Sequence, residues 1–280
     1  MAEIIKGNEI AKTILTHIKD EVSKMDRKPT LAVILVGDNF ASKSYVRGKK
    51  RAGKKVDVNV EVYEYKEDVL EKEIIEKINH LNNDINTDGI IVQLPLPKHL
   101  NESKIINTVS SKKDVDGFTF NNAGRLFKGK PQLVPCTPKG IIYMLKAIKV
   151  DLEGKYCVVV GRSNLVGLPL SRMLIEENAT VTVCHSKTKE LKKMTNQADI
   201  LIVAIGQNKF ITKDFVKEGA VVIDVGINRD ENNKLSGDVD FDNVQEKASY
   251  ISPVPKGVGP LTIAMLLLNT LIAKKGDIYE

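Results

Sequence analysis

Tyr156-Cys157-Val158-Val159-Val160-Gly161-Arg162-Ser163-Asn164-Leu165-Val166-Gly167 sets the frame for the whole chain. A run of apolar and β-branched residues ending in Gly161 describes a strand buried on both faces that feeds a tight turn. Beyond the turn, Leu168, Leu170, Met173, Leu174 and Ile175 fall at helical spacing. Strand, loop and helix in that order aim unpaired amide hydrogens and the positive end of the helix dipole at the loop, which suits a phosphate. The spacing departs from the common dinucleotide fingerprint, because Gly161 and Gly167 stand six apart and Ser163 takes the place of the middle glycine. A plain strand-to-helix turn explains these residues equally well.

The sequel separates the two readings. Residues 178–184, Asn-Ala-Thr-Val-Thr-Val-Cys, read as a second strand. Folds that choose NAD usually place an Asp or Glu at the end of that strand to hold the ribose 2′-hydroxyl. Here His185-Ser186-Lys187-Thr188 follow, with no acid. With Arg162 in the loop, a cation and hydroxyl donors stand where a 2′-phosphate would lie, so the expected cofactor is NADP rather than NAD.

Further strands are expected at residues 199–206 and 220–226. Upstream, residues 8–24 form an amphipathic helix through Ile10, Ile14, Leu15, Ile18 and Val22. A strand at 31–37, a helix at 41–55, a strand at 59–65, a helix at 70–82 and a strand at 89–94 follow. Strands alternating with helices imply parallel sheets with covered faces. The fold class is therefore α/β with two domains. Residues 1–138, completed by 260–280, form an N-terminal catalytic domain, and 139–259 a Rossmann-like nucleotide-binding domain. A helix at 141–148 bridges them. Residues 250–260, rich in proline and glycine, form a second crossing. The last helix, 261–274, is apolar on nearly every side and is expected to return and pack on the first domain.

Composition narrows the class. Of 280 residues 42% are hydrophobic and 28% charged, ordinary for a soluble globular protein. No window approaches the roughly 18 consecutive apolar residues of a membrane helix. The N-terminus lacks a signal-peptide apolar block, so the expected location is cytoplasmic. Cys136, Cys157 and Cys184 are an odd number without short pairing and read as buried free thiols. His17, His80, His99 and His185 offer no ligand spacing, so no metal is expected. A net charge of +6 admits an anionic partner. Nucleic acid is disfavoured by the absence of Trp and an aromatic content of 5%.

Residues 42–53, Ser-Lys-Ser-Tyr-Val-Arg-Gly-Lys-Lys-Arg-Ala-Gly, follow the first long strand at the sheet edge where open α/β folds bind ligands. Tyr45 and Lys49, four apart on the expected helix, share a face. A lysine held in a partly dry cleft loses solvation, its pKa falls, and it can move protons near neutrality. The segment taken alone is equally a solvated basic face. Gln93 and Asp116 likewise admit plain readings as a sheet-end amide and a turn acid.

Six segments in order carry a wider likeness: Tyr45-Val46-Arg47-Gly48-Lys49, residues 88–97 with Gln93 and Pro95-Leu96-Pro97, Lys113-Asp114-Val115-Asp116-Gly117, Pro135-Cys136-Thr137-Pro138, Val160-Gly161-Arg162-Ser163, and Pro253-Val254-Pro255 with Gly257-Val258-Gly259-Pro260. Over nearly its whole length the chain resembles the bifunctional methylenetetrahydrofolate dehydrogenase/methenyltetrahydrofolate cyclohydrolase family. The resemblance implies oxidation of 5,10-methylenetetrahydrofolate with NADP, then hydrolysis to 10-formyltetrahydrofolate, an activity of one-carbon metabolism and purine biosynthesis. It makes Lys49 the catalytic lysine, Tyr45 its neighbour against the folate, Gln93 the amide that tunes it, and Asp116 the anchor of the pterin. Pro255 to Gly259 would line the folate site, and Gly161, Arg162, Ser163, Ser186 and Ile227 the cofactor site. Lys256 departs from the pattern, standing where the family usually has glycine, which puts the loop shape in question or frees the lysine for an acidic substrate tail. The family is usually dimeric, and residues 234–239 are a candidate interface. The cations of 43–55 suit polyglutamylated folates. Two other readings are an NADP-dependent dehydrogenase of another small substrate, of shikimate type, and a basic nucleic-acid-binding module.

Overall fold

Helices alternate with parallel strands in a computed structural model that describes residues 1–231 and 233–276. β1 (Glu3–Ile4) leads to α1 (Gly7–Ser23), β2 (Thr30–Val36), α2 (Phe40–Lys55), β3 (Asn59–Tyr65), α3 (Glu71–Asn83) and β4 (Gly89–Val92). Two short helices, α4 (Glu102–Thr108) and α5 (Phe120–Phe127), precede α6 (Cys136–Ala147). Then come β5 (Tyr156–Val160), α7 (Gly167–Glu176), β6 (Thr180–Cys184), α8 (Leu191–Thr195), β7 (Ile200–Val203) and β8 (Val221–Asp224). β9 (Asn228–Arg229), β10 (Leu235–Ser236), α9 (Phe241–Val244), β11 (Tyr250–Ile251) and α10 (Val258–Lys275) complete the chain. It divides into two compact units, one of residues 12–136 with the chain from Ile263, the other of residues 1–11 with 137–262.

In the first unit β2 is the centre of a three-stranded parallel sheet, flanked by β3 and β4. All seven residues of β2 are buried, as its unbroken apolar run requires of a strand covered on both faces. Ile74, Ile78 and Leu81 of α3, spaced four and three apart, pack into one cluster with Ala32, Ile34, Ile90 and Ile105. Burying each such side chain contributes about 1.5–3 kcal/mol. From Ile263 onward α10 belongs to this unit, as its apolar surface demanded. Its Ala264, Met265, Leu266, Leu267 and Leu271 are buried, and Asn269 donates to the Val115 and Val134 carbonyls at 2.8 and 3.0 Å. By length and composition α10 could cross a membrane, contrary to the sequence reading, yet half of it is buried in the protein.

The second unit holds a six-stranded, wholly parallel sheet in the order β1-β11-β8-β7-β5-β6. From β5 the chain winds one way to β6 and the other way to β7, so the order reverses beside β5. Such a reversal, at the carboxyl ends of β5 and β7, is the usual place for a ligand in an open α/β sheet. Glu3 and Ile4, expected with the first domain, pair instead into this sheet, with Tyr250 and Ile251. Two-residue strands carry too little periodicity to be read in sequence. α6 begins at Cys136 rather than residue 141, because Pro138 lies in the first turn, where its missing N–H goes unneeded. Residues 277–280, expected in the C-terminal helical segment, lie outside the described residues.

Candidate active site

Ser42, Val46, Lys49 and Gly53 form the buried stripe of α2, so the chain places a lysine where helix geometry calls for an apolar residue. Asn39 caps the helix, its side chain accepting from the Ser42 amide at 3.0 Å. Gly53 lets α2 lie close on β3, since a Cβ there would stand 2.5 Å from Val60. Lys49 is only 8% exposed, and its Nζ donates to Gln93 Oε1 at 2.9 Å. Gln93 is held at the end of β4: its backbone amide donates to the Ile34 carbonyl at 2.8 Å and its Nε2 to the Leu94 carbonyl at 2.8 Å. Burial presses the Lys49 pKa down, opposed by the charge of Asp116 and by the Cys136 thiolate form. The lysine is thereby biased toward the neutral amine that can take up a proton.

Asp116 comes from the loop after β4. Gly117 beside it has φ +70°, and a Cβ there would meet the Val134 backbone at 2.6 Å. Asp114, 4% exposed, braces the loop by accepting from the amides of Phe118 and Thr119 at 3.2 and 2.9 Å and from Asn122 Nδ2 at 2.9 Å. Although part of Asp116 reaches solvent, burial is the largest influence on its carboxyl and raises the pKa, against the lowering effects of Lys49 and a Cys136 hydrogen bond. Tyr45, one turn before Lys49 on α2, is half-buried, and burial raises its phenol pKa. A buried amine, an amide and a carboxyl with opposed shifts make a proton-handling cluster.

In the other unit the loop after β5 is shaped by two glycines. At Gly161, with φ +127°, a Cβ would lie 2.2 Å from the Ala204 carbonyl oxygen at the end of β7. At Gly167, the first residue of α7, it would lie 2.0 Å from the Gly161 carbonyl oxygen. The backbone therefore approaches itself as closely as a phosphate cradle needs, and the loop leads into the N-terminus of α7. Ser163 Oγ accepts from the Val166 amide at 3.1 Å, so the residue in the middle-glycine position closes the turn. Arg162 and Ser186 are exposed, and Ile227 is 50% exposed after β8. A turn fixed by the Thr188 hydroxyl accepting from the His185 amide at 2.8 Å presents Ser186 at the end of β6. With no acid at that strand end, the donor set fits a nucleotide bearing a 2′-phosphate.

Two buried carboxyls support this rim and escaped the sequence reading. Asp238, fully buried, accepts from the amides of Ile205, Gly206 and Gln207 at 2.7, 3.0 and 2.8 Å and from Asn228 Nδ2 at 2.8 Å, tying the loops after β7 and β8 together. Asp224 accepts from the amides of Gly226, Asp238 and Val239. Burial pushes its carboxyl up to about 6 despite those bonds, with Asp238 adding to the rise.

The region 135–277 matches the NAD(P)-binding domain model of tetrahydrofolate dehydrogenase/cyclohydrolase, and 5–116 matches its catalytic domain model. A bifunctional protein FolD from Bacillus anthracis is 52% identical over 278 residues, 98% of this chain and 97% of the relative. The chain belongs to the tetrahydrofolate dehydrogenase/cyclohydrolase family. The FolD enzyme of Campylobacter jejuni superposes with a TM-score of 0.96 at 45% identity, covering 99% of this chain and 100% of that one. The Trypanosoma brucei dehydrogenase-cyclohydrolase, solved with NADP and an inhibitor, does so with 0.94 at 34% identity over 100% and 99%.

Within this family member, Lys49 bonds Gln93 and feels the charge of Asp116, and Tyr45 lies one turn before Lys49 on α2. Pro255 and Gly259 sit in the other unit, Pro255 after a cis Val254–Pro255 bond and Gly259 in the first turn of α10. Lys256 adopts φ +78°, so the loop keeps the left-handed turn although glycine is absent. Cys136, read from sequence only as a buried thiol, donates to the Val115 carbonyl at 3.2 Å beside Asp116. All three cysteines are buried, and none is in a disulfide. Among the described residues, no cluster of His, Cys, Asp and Glu could hold a metal.

Proposed function

We infer that this chain oxidises 5,10-methylenetetrahydrofolate to the 5,10-methenyl form with NADP and hydrolyses that product to 10-formyltetrahydrofolate. NADP, when bound, supplies the hydride acceptor. The residues that would hold it are Gly161, Arg162 and Ser163 around the phosphates, Ser186 with Arg162 toward the 2′-phosphate, and Ile227 with its exposed apolar side chain. For hydrolysis, water adds to the amidinium carbon of the methenyl form, the carbon–nitrogen bond of the ring opens, and one proton is released. The Lys49 amine takes up the proton from the attacking water and returns it toward the leaving nitrogen. Gln93 fixes the amine's direction, and Asp116, with Tyr45, binds the substrate.

One observation carries the hydrolytic half: a buried Lys49 whose nitrogen is directed by Gln93 at 2.9 Å. We place the substrate site on 12–136 and the cofactor site on 137–262. We propose also a cytoplasmic homodimer, with the β10 edge at Leu235, 43% exposed, in its interface, Val239 being buried and unable to contribute. Polyglutamyl folates are proposed as substrates on the strength of the exposed Lys256 and the +6 net charge. Mixing the protein with methylenetetrahydrofolate and NADP tests the reading, since methenyl absorbance should rise and then decay. In Lys49→Met the decay should slow 10²–10⁴-fold, the usual worth of a general acid–base, with NADP binding intact. Undiminished decay removes Lys49 from that role.

A further inference from the structure

Arg47, Lys50, Arg51 and Lys54 lie on α2 at intervals of three, four and seven, so they form one stripe along the helix. All four are exposed, and among the described residues none is ion-paired; Arg47 only stacks over Phe40 at 5.9 Å. This distinguishes them from Lys43, which pairs with Asp38, and from buried Lys49. Like charges at such spacing repel one another along the helix. The stripe forms one wall of a cleft of about 870 Å³, whose other side brings Arg27 and Lys28 at the chain entering β2, with Thr30, Asp57 and Asn59. Arg27 and Lys28 are neutralised by Asp88 and Asp57, at 2.7 and 2.8 Å. Four cations thus face the cleft without counter-charge.

At about 100° per residue, the stripe is centred roughly 150° around α2 from Lys49. It opens on the far side of the helix from the catalytic amine, at the amino ends of β2 and β3. Arg47, Lys50, Arg51 and Lys54, four of the cations of 43–55 read in the sequence as receivers of a glutamate tail, therefore point away from the Lys49 side of α2.

We propose that this cleft is a second, non-catalytic anion site that binds a polyphosphate group. Two unpaired guanidinium forks, from Arg47 and Arg51, match phosphate oxygens in pairs, and Lys50 and Lys54 add point charges between them. The lining contains no aromatic ring on which a base could stack, so a small polyanion fits it better than a nucleic acid strand.

The test is calorimetric titration of inorganic tripolyphosphate into the full chain at low salt, with NADP saturating so that the nucleotide site is closed to it. A nucleoside triphosphate is titrated in parallel, and the double variant Lys50→Glu, Arg51→Glu serves as the comparison. The expected result is saturable tripolyphosphate binding, equal for the nucleoside triphosphate, weakened at least tenfold by the double variant and by 200 mM salt. Turnover of methylenetetrahydrofolate in the variant should stay at the parent value, showing that it is folded. Absence of binding, equal binding by the variant, nucleotide affinity more than tenfold above tripolyphosphate, or tighter binding of duplex DNA would each overturn the assignment.

Discussion

Replacing Gln93 by Glu keeps the shape of the side chain and sets a negative charge where Oε1 now accepts from Lys49 at 2.9 Å. At an effective dielectric near 20, two unit charges at that distance attract by about 6 kcal/mol. Lys49 is 8% exposed, so bulk water screens the pair little. Desolvating the new carboxylate offsets much of the attraction, yet a quarter of it amounts to about one pKa unit, or tenfold in the population of neutral amine at fixed pH. Burial now lowers the Lys49 pKa, and the substitution opposes that lowering. The rising limb of the pH–rate profile for hydrolysis of the methenyl form should therefore move about one unit to higher pH, and the rate at any pH on that limb should fall about tenfold. Stopped-flow decay of methenyl absorbance from pH 6 to 9 measures it, with NADP affinity as the check on folding. A limb that stays in place, or moves to lower pH, would refute Lys49 as the titrating base.

Gly161→Ala puts a methyl 2.2 Å from the Ala204 carbonyl oxygen, so NADP affinity should fall at least 100-fold while hydrolysis of supplied methenyl folate, which needs no nucleotide, stays within a few-fold; equal losses of both would show a general folding defect. Asp224 holds its proton up to about 6 in the folded chain against an ordinary 3.8, so its contribution to stability is full below pH 3.8 and is lost as pH rises through 6, about 3 kcal/mol in all. Urea unfolding of the parent minus Asp224→Asn between pH 4 and 7 should show that decline, and a flat difference would sink the assignment. Lys256→Gly relieves a left-handed lysine, worth roughly 1–2 kcal/mol, against glycine's extra unfolded-state entropy of roughly 0.5–1 kcal/mol. The variant should gain up to about 1.5 kcal/mol by urea titration, and a loss of that size would mean the Lys256 side chain makes a stabilising contact.

What the amino acids alone determined follows from local periodicity. The apolar runs at β2 and β5, the amphipathic stripe of α3 and the all-round apolar α10 each require burial through their own composition, whatever surrounds them. The absence of an acid after β6 likewise spoke to cofactor choice without coordinates. Contacts across long separations were decided by the folded chain: β1 against β11, the Gln93 carbonyl on the Lys49 amine, Cys136 beside Asp116, and the Asp238 carboxylate collecting three amides from a loop more than thirty residues earlier. A run of basic residues cannot reveal which member is desolvated. Only helix rotation against the sheet separates Lys49, stripped of water, from the four solvated cations behind it, because burial is a property of three-dimensional neighbours and not of sequence position.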